Sequence, residues 1–374
     1  METRCVSPTS TTCERPSSFT GLVNRRVVLK SRPGVDGDPQ LGNFATEQCA
    51  TPREFIDGEV LVRSVFLSID PALRCRMNEN TGVHYLTPWL VGRCVEGLGG
   101  VGIIEQSHSP LLEKGDIVCR AMSWPWQLYF KTTADSLQKL DVEELGGDVS
   151  VVLTCLGLTG LTALLGLREK GGIKPSANQT CVVSAAAGAC GSLAGQIAKL
   201  EGCKRVVGIC GSDEKCDFLT KTLNSQKLPR LVRADSDSEF AQVLSVSNVY
   251  FDNVGGPVSD TVIRHMTADS NIVLCGQIAV YNKSVHYPPP LSEDIQKIVK
   301  EKHISRDRFL VLQYQDKFDE CLAHLKAWLK EGKLIARQTV ERGLENAPQA
   351  FINMMNGGNI GKQVVIVSDL NEST

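Results

Sequence analysis

Residues 180–209 constrain the fold of this chain more than any other segment. An apolar run, Thr180–Ser184, leads into Ala185-Ala186-Ala187-Gly188-Ala189-Cys190-Gly191-Ser192. A helical stretch then ends near Gly202, and a second apolar run occupies Arg205–Ile209. Continuous apolar runs, as opposed to alternating ones, mark strands buried on both faces, as in a parallel sheet. Parallel neighbours need a crossover, and a helix is the usual one. The turn between strand and helix carries only small side chains. Backbone N–H groups there stay accessible at a helix N-terminus, where unpaired donors and the positive dipole end favour an anion. Strand, small-residue turn, helix and strand form the context of a dinucleotide diphosphate site. Tight helix packing is the competing reading of the small residues. A strict G-x-G-x-x-G is absent, since Ala186 stands where the first glycine would be.

The second strand separates the candidate cofactors. An NAD site usually places Asp or Glu at its end for the ribose 2′-hydroxyl. Here the run closes Ile209-Cys210-Gly211-Ser212, without an acid. Ser212 suits an N-cap, with Asp213 and Glu214 in the first helical turn. Lys215 then emerges where a 2′-phosphate would lie, which favours NADP, the alternative being a solvated surface lysine. Two further loops follow apolar strands: Asn253-Val254-Gly255-Gly256 after residues 249–252, and Cys275-Gly276-Gln277 in a run spanning 271–276. The carboxyl edge of such a sheet is where α/β folds bind ligands, although glycine-shaped loops occur without ligands as well.

The remaining pattern divides the chain in two. Residues 25–145 read as β, with short runs at 26–29, 60–68, 102–105 and 116–119 broken by Gly, Pro and Asp. After residue 150, strands and helices alternate. Residues 308–312 read as a fifth buried strand, and residues 316–330 as a helix presenting Phe318, Leu322, Leu325 and Leu329, with Gly332 just past its end. Residues 362–368 form a short last strand that can return to the front. The fold class is therefore α/β, a doubly wound Rossmann parallel sheet joined to a β-rich domain. The uncharged stretch 149–167 has the length of a membrane span, but its threonines and glycines and its continuation into the nucleotide pattern argue for a buried helix joining the domains. Residues 1–24, rich in Ser, Thr and Pro without an apolar core, read as a disordered extension. A net charge of −2 gives no field for nucleic acid or an anionic membrane. Fourteen cysteines among 374 residues fall short of the roughly 8–10% that marks a disulfide scaffold. Their lack of C-x-x-C or Cys/His spacing points to reduced core residues, a cytoplasmic setting and no metal site.

On the words Leu67-Ser68-Ile69-Asp70-Pro71, Trp124-Pro125-Trp126, Asp252-Asn253-Val254-Gly255-Gly256, Tyr287-Pro288-Pro289-Pro290 and Gly357-Gly358-Asn359-Ile360-Gly361-Lys362, the chain resembles the zinc-independent medium-chain dehydrogenase/reductases. Within them it is most similar to the 15-oxoprostaglandin 13-reductases of lipid metabolism, related to leukotriene 12-hydroxydehydrogenase. The likeness runs from about residue 26 to 367. It implies a GroES-like catalytic domain from residues 25–148 with 335–374, and a Rossmann NADP-binding domain at 149–334. It places cofactor contacts at Gly188, Ala189, Cys190, Gly191, Lys215, Asn253, Cys275, Gly276, Gln277, Ile278, Ala279, Val280, Tyr281, Phe309, Leu310, Val311 and Asn359. Substrate contacts would fall at Tyr85, Met122, Ser123, Leu310, Val311 and Leu312.

The implied reaction is NADPH-dependent reduction of a carbon–carbon double bond conjugated to a ketone. Charge developing on the ketone oxygen calls for a neutral donor in a dry site, and tyrosine hydroxyls are the natural ones. Tyr281 and Tyr85 match tyrosines that the resemblance assigns to catalysis or substrate binding, and either is also an ordinary half-buried packing residue. A general alkenal or quinone reductase, and a cofactor-binding homologue without catalysis, are the alternative functions. The expected partner is a small lipid enone substrate, with no nucleic acid or membrane, and the chain is a monomer or homodimer. Two segments depart from the family. Leu231 stands near an expected tyrosine, with Pro229 beside it and Arg230 or Arg233 as candidate replacements for the phosphate contact, and Met122-Ser123 replaces aromatic residues beside the acyl-chain pocket. His286 reads as a surface residue.

Overall fold

A computed structural model describes residues 23–370, apart from 35, 176, 224–243, 284 and 286. Residues 1–22, Pro229, Arg230, Leu231, Arg233 and His286 lie outside the described residues. Asn24, expected to close the extension, already belongs to the strand Asn24–Leu29. Its side chain bonds both the N–H and the carbonyl of Tyr129, at 3.0 and 2.9 Å.

Five strands build a parallel sheet in the order Arg205–Ile209, Thr180–Ser184, Val249–Asp252, Asn271–Leu274, Ser305–Arg308. Cys181 faces Val206 on one side and Val249 on the other. The chain therefore reverses its direction of travel across the sheet at Thr180–Ser184, and a crevice opens at the carboxyl end of that strand. Helix Ala189–Leu200 covers one face with helix Leu158–Gly166, and helix Phe318–Lys330 joins them through Leu325 and Cys321.

The second sheet is mostly antiparallel and recruits both chain ends. Its order is Gln338–Arg342, Lys362–Ile366, Glu59–Ser68, Gly100–Ser107, Ile117–Arg120, Gln138–Lys139, with Tyr129–Thr133 also on Glu59–Ser68. Its core stacks Phe44 on Trp126 with ring centroids 6.3 Å apart, and Trp124 and Trp126 are wholly buried. Arg63 and Glu105 form a 2.6 Å pair inside this sheet, each 4% exposed. Arg63 also reaches Ser368 Oγ and the Asp369 carbonyl at 2.8 Å, which fastens the end of the chain to the front sheet.

Three sequence expectations shift. The run 308–312 is no strand interior: the strand is Ser305–Arg308, polar and largely exposed at the sheet edge, and Phe309 onward leaves it. Phe309 and Val311 are buried against the helical layer of the main core, which explains an apolar run outside a strand. The run 271–276 ends as a strand at Leu274 because Cys275 and Gly276 turn back to give both N–H groups to the Asp252 carbonyl at 3.0 Å. The stretch 149–167 is a 3₁₀ turn, Val149–Leu153, followed by a separate helix, Leu158–Gly166, instead of one helix. The break is enforced at Gly157, where a Cβ would lie 1.9 Å from the Val152 carbonyl oxygen. Among the described residues no helix is long and apolar enough to cross a membrane.

Candidate active site

The loops at the carboxyl edge of the parallel sheet line a cleft of about 810 Å³, closed on the other side by the front half. At its centre is the turn after Thr180–Ser184. Ala185, one residue before the position expected for the first glycine, takes the left-handed φ of 47°. Its carbonyl accepts the Gly188 N–H at 2.9 Å, and Gly191 packs so tightly against it that a Cβ would lie 2.3 Å from that oxygen. Helix Ala189–Leu200 begins at Gly188 without a side-chain cap. An uncapped helix N-terminus behind a turn with no room for side chains suits a diphosphate, whose oxygens can take the backbone donors directly.

The neighbouring loops are held by one carboxylate. Asp252 is 1% exposed. It accepts from Tyr250 Oη (2.9 Å), Ser184 Oγ (3.2 Å), Ser259 Oγ (2.7 Å), Gln277 Nε2 (3.2 Å) and the N–H groups of Val254 and Gly255 (both 3.0 Å). Six donors satisfy a charge that burial would otherwise make costly. They also tie the ends of three strands together. Asn253 completes the tie by donating Nδ2 to the Ser184 carbonyl at 2.7 Å.

Lys215 follows the Ser212 cap, whose Oγ accepts the Lys215 N–H at 3.4 Å. Its ammonium donates to the Gly357 carbonyl at 2.7 Å, so this lysine spans from the parallel-sheet half to the returning chain end. Burial lowers its pKa below the usual lysine value. Beside it, Gly361 N–H donates to the Ala187 carbonyl at 2.7 Å, and Gly361 pairs with Gly188 as an isolated bridge. Asn359 is buried and donates to the Gly361 carbonyl at 2.7 Å, shaping that loop.

At the other end of the cleft three tyrosines gather. Tyr281 Oη accepts the Gln277 N–H at 3.3 Å, and a Cβ on Gly276 would lie 3.1 Å from the same oxygen. Its ring centroid is 6.0 Å from that of Tyr287, over which Arg308 sits at 5.3 Å. Burial raises the pKa of Tyr281 well above that of a free phenol, and the charges that Tyr287 and Tyr85 would carry reinforce the shift. Burial likewise raises Tyr85, and pushes Tyr287 up to about 12. All three hydroxyls therefore stay protonated as neutral donors at neutral pH.

The cleft takes in most residues expected from the sequence. Gly188, Ala189, Cys190 and Gly191 line it, with Lys215, Asn253 and Asn359. So do Cys275, Gly276, Ile278, Ala279 and Tyr281 on the next loop. Phe309, Leu310, Val311 and Leu312 form one wall, and Tyr85 and Met122 face them from the front half. Three expected contacts stand apart from the lining. Gln277 is 1% exposed and turned under the loop onto Asp252, so it positions the loop. Val280 is the last residue of a short 3₁₀ turn, Ile278–Val280. Ser123 is exposed, at φ 55°, with its carbonyl bonded by Arg120. Cys190 and Cys275 bring their sulfurs to 4.0 Å as free thiols. Sequence reasoning missed the roles of Asp70, Lys362, Thr159 and Thr162 in the wall. Only the words containing Asp70 and Lys362 drew notice, and nothing in their spacing says that the two meet.

Two families match: N-terminal domain of oxidoreductase over residues 25–140, and zinc-binding dehydrogenase over residues 231–365. An NADPH-dependent curcumin reductase of Escherichia coli is 36% identical over 355 residues, covering 92% of this chain and 97% of the relative. The chain belongs to the zinc-independent medium-chain dehydrogenase/reductase superfamily. Prostaglandin reductase 1 of Mus musculus is 34% identical over 340 residues, covering 88% of this chain and 95% of the relative. The crystal structure of CurA from Vibrio vulnificus in complex with NADPH superposes with a TM-score of 0.80 at 34% identity, over 92% of this chain and 99% of that one. The protein is an NADP-dependent oxidoreductase of mixed α/β fold. Among the described residues no group of three or more His, Cys, Asp or Glu could hold a metal ion.

Proposed function

We propose that this oxidoreductase reduces the carbon–carbon double bond of an α,β-unsaturated ketone, with 15-oxoprostaglandins as substrates. The observation that carries the reading is Tyr281: a neutral, half-buried tyrosine whose hydroxyl is held over Gly276, on the loop next to the diphosphate turn. NADPH, when held there, would supply a hydride to the β carbon of the enone, and a proton from water at the α carbon would complete the reduction. Tyr281 Oη donates a hydrogen bond to the ketone oxygen as negative charge gathers there. Tyr85, on the opposite wall, orients the enone and adds a second donor. Leu310, Leu312 and Met122 offer an apolar lining to an acyl chain and keep water from the developing charge. Lys215 and the turn at Gly188, Ala189, Cys190 and Gly191 hold the phosphates. The domain partition consistent with this arrangement is 25–148 with 335–374, and 149–334.

The test is NADPH oxidation with a 15-oxoprostaglandin, a simple alkenal and a quinone, on wild type and Tyr281→Phe. Rapid turnover of the 15-oxoprostaglandin is expected, falling about 10²–10³-fold in the variant with NADPH binding retained. Turnover confined to the alkenal or quinone supports a broader reductase, a reading favoured by the 36% identity to a curcumin reductase. Binding of NADPH with no turnover of any of the three would leave a cofactor-binding protein.

A further inference from the structure

Asp70 and Lys362 come from distant parts of the chain and meet in the cleft wall. Asp70 follows the strand Glu59–Ser68, and Lys362 opens Lys362–Ile366. The Lys362 side chain is 3% exposed. It donates to the Ile69 carbonyl at 2.8 Å and to Asp70 Oδ1, while Ser68 Oγ donates to Asp70 Oδ2 at 2.5 Å. An ammonium has three donors. Two are used, and the third has no partner among the described residues.

Three features make this pair more than a tie between strands. A buried ion pair seldom outperforms a packed apolar pair in stability, so stability alone is a weak reason for one. Lys362 also follows Gly361, whose N–H bonds the Ala187 carbonyl at 2.7 Å, so its backbone adjoins the seam with the diphosphate turn while its side chain lines the same cleft. Finally, Asp70, Lys215 and Lys362 are the charged side chains of the wall among the described residues, which leaves the cleft with a net positive charge. A dinucleotide phosphate is strongly anionic. Lys215 stands at the end of the second strand, where the 2′-phosphate belongs, and the diphosphate has no other lysine or arginine among the described wall residues.

The geometry points to Lys362 as a cofactor-binding residue whose ammonium faces the diphosphate, held in the wall by the Ile69 carbonyl, with Asp70 as the carboxylate that offsets part of its charge. The two substitutions then act in opposite senses. Lys362→Met removes the attraction, whereas Asp70→Asn leaves the cation in place and removes the anion beside it.

The experiment measures dissociation constants for NADPH and NADH on the full chain by cofactor fluorescence, over a range of salt concentrations. Lys362→Met should weaken both cofactors by the same factor, about tenfold, the scale of one lost charge-assisted bond. It should also flatten the salt dependence. Asp70→Asn should bind both at least as tightly as wild type, and Lys362→Arg should recover most of the loss. Equal weakening by Lys362→Met and Asp70→Asn would show a structural tie only, and overturn the assignment. So would an unchanged constant in Lys362→Met. If Lys362→Met does not fold, Asp70→Asn decides alone, since weakened binding there contradicts the proposal.

Discussion

On one side of the cleft, Trp124, Trp126, Phe44 and Phe351 interlock beneath a sheet stapled by the Arg63–Glu105 pair. On the other side, mostly aliphatic and small residues, with Phe218, Phe251 and Phe309 among them, fill the layers of the parallel sheet, and the loops are held by donors converging on Asp252. The front half thus relies on aromatic packing and the Arg63–Glu105 pair, none of which lines the cleft. The parallel-sheet half places its most connected buried polar group directly under the cofactor loops. Stability and binding should therefore separate in the first half and move together in the second.

The largest effect tests the first part of that contrast. Arg63→Ala removes the guanidinium that pairs with buried Glu105 and should cost about 3–5 kcal/mol in denaturant unfolding. The fraction that remains folded should bind NADPH as wild type does. A weakened dissociation constant would show that the front sheet transmits strain to the cleft.

Asp252→Asn tests the second part. An amide cannot accept from all six donors, and stranding buried donors should cost roughly 2–3 kcal/mol. The KM for NADPH should rise while kcat at saturating cofactor changes less, because the loops still assemble when the cofactor holds them. Stability loss with an unaltered KM would break the proposed link.

Lys215→Met sharpens the contrast within the cleft. NADPH affinity should fall about tenfold and NADH affinity should hold, since only the former carries the 2′-phosphate. Burial lowers the pKa of Lys215, so its charge is lost at lower pH than that of an exposed lysine. Wild-type NADPH affinity should accordingly decline as pH rises toward the lysine range, and the variant should not show that decline. Binding titrations across alkaline pH check both.

The smallest effect concerns Ala185. Its φ of 47° suits glycine better, so Ala185→Gly should stabilise by about 1 kcal/mol or less, the relief of strain being offset by the greater freedom of the unfolded chain. Thermal unfolding with and without NADPH measures it.

Much of the parallel-sheet half was legible because its signals are local. Thr180–Ser184, Arg205–Ile209 and Val249–Asp252 appear as strands with the expected bounds. An apolar run flanked by turn residues reports burial on both faces without reference to the rest of the chain. The same signal misled at 308–312, where the apolar residues are buried by a helical layer and the cleft wall and the actual strand is polar. The front half was legible only as short β runs, because its register depends on strands from both chain ends.

The sequence by itself determined the order of apolar runs, the small-residue turn and the lysine behind the second strand, since each is encoded in neighbouring residues. Only the tertiary structure decided that Gln277 turns down to Asp252, that Tyr85, Tyr281 and Tyr287 share one half-buried corner, and that Lys362 finds Asp70. Those outcomes depend on which charges and hydroxyls are desolvated together. Desolvation is a property of the packed chain and leaves no period or spacing in the sequence.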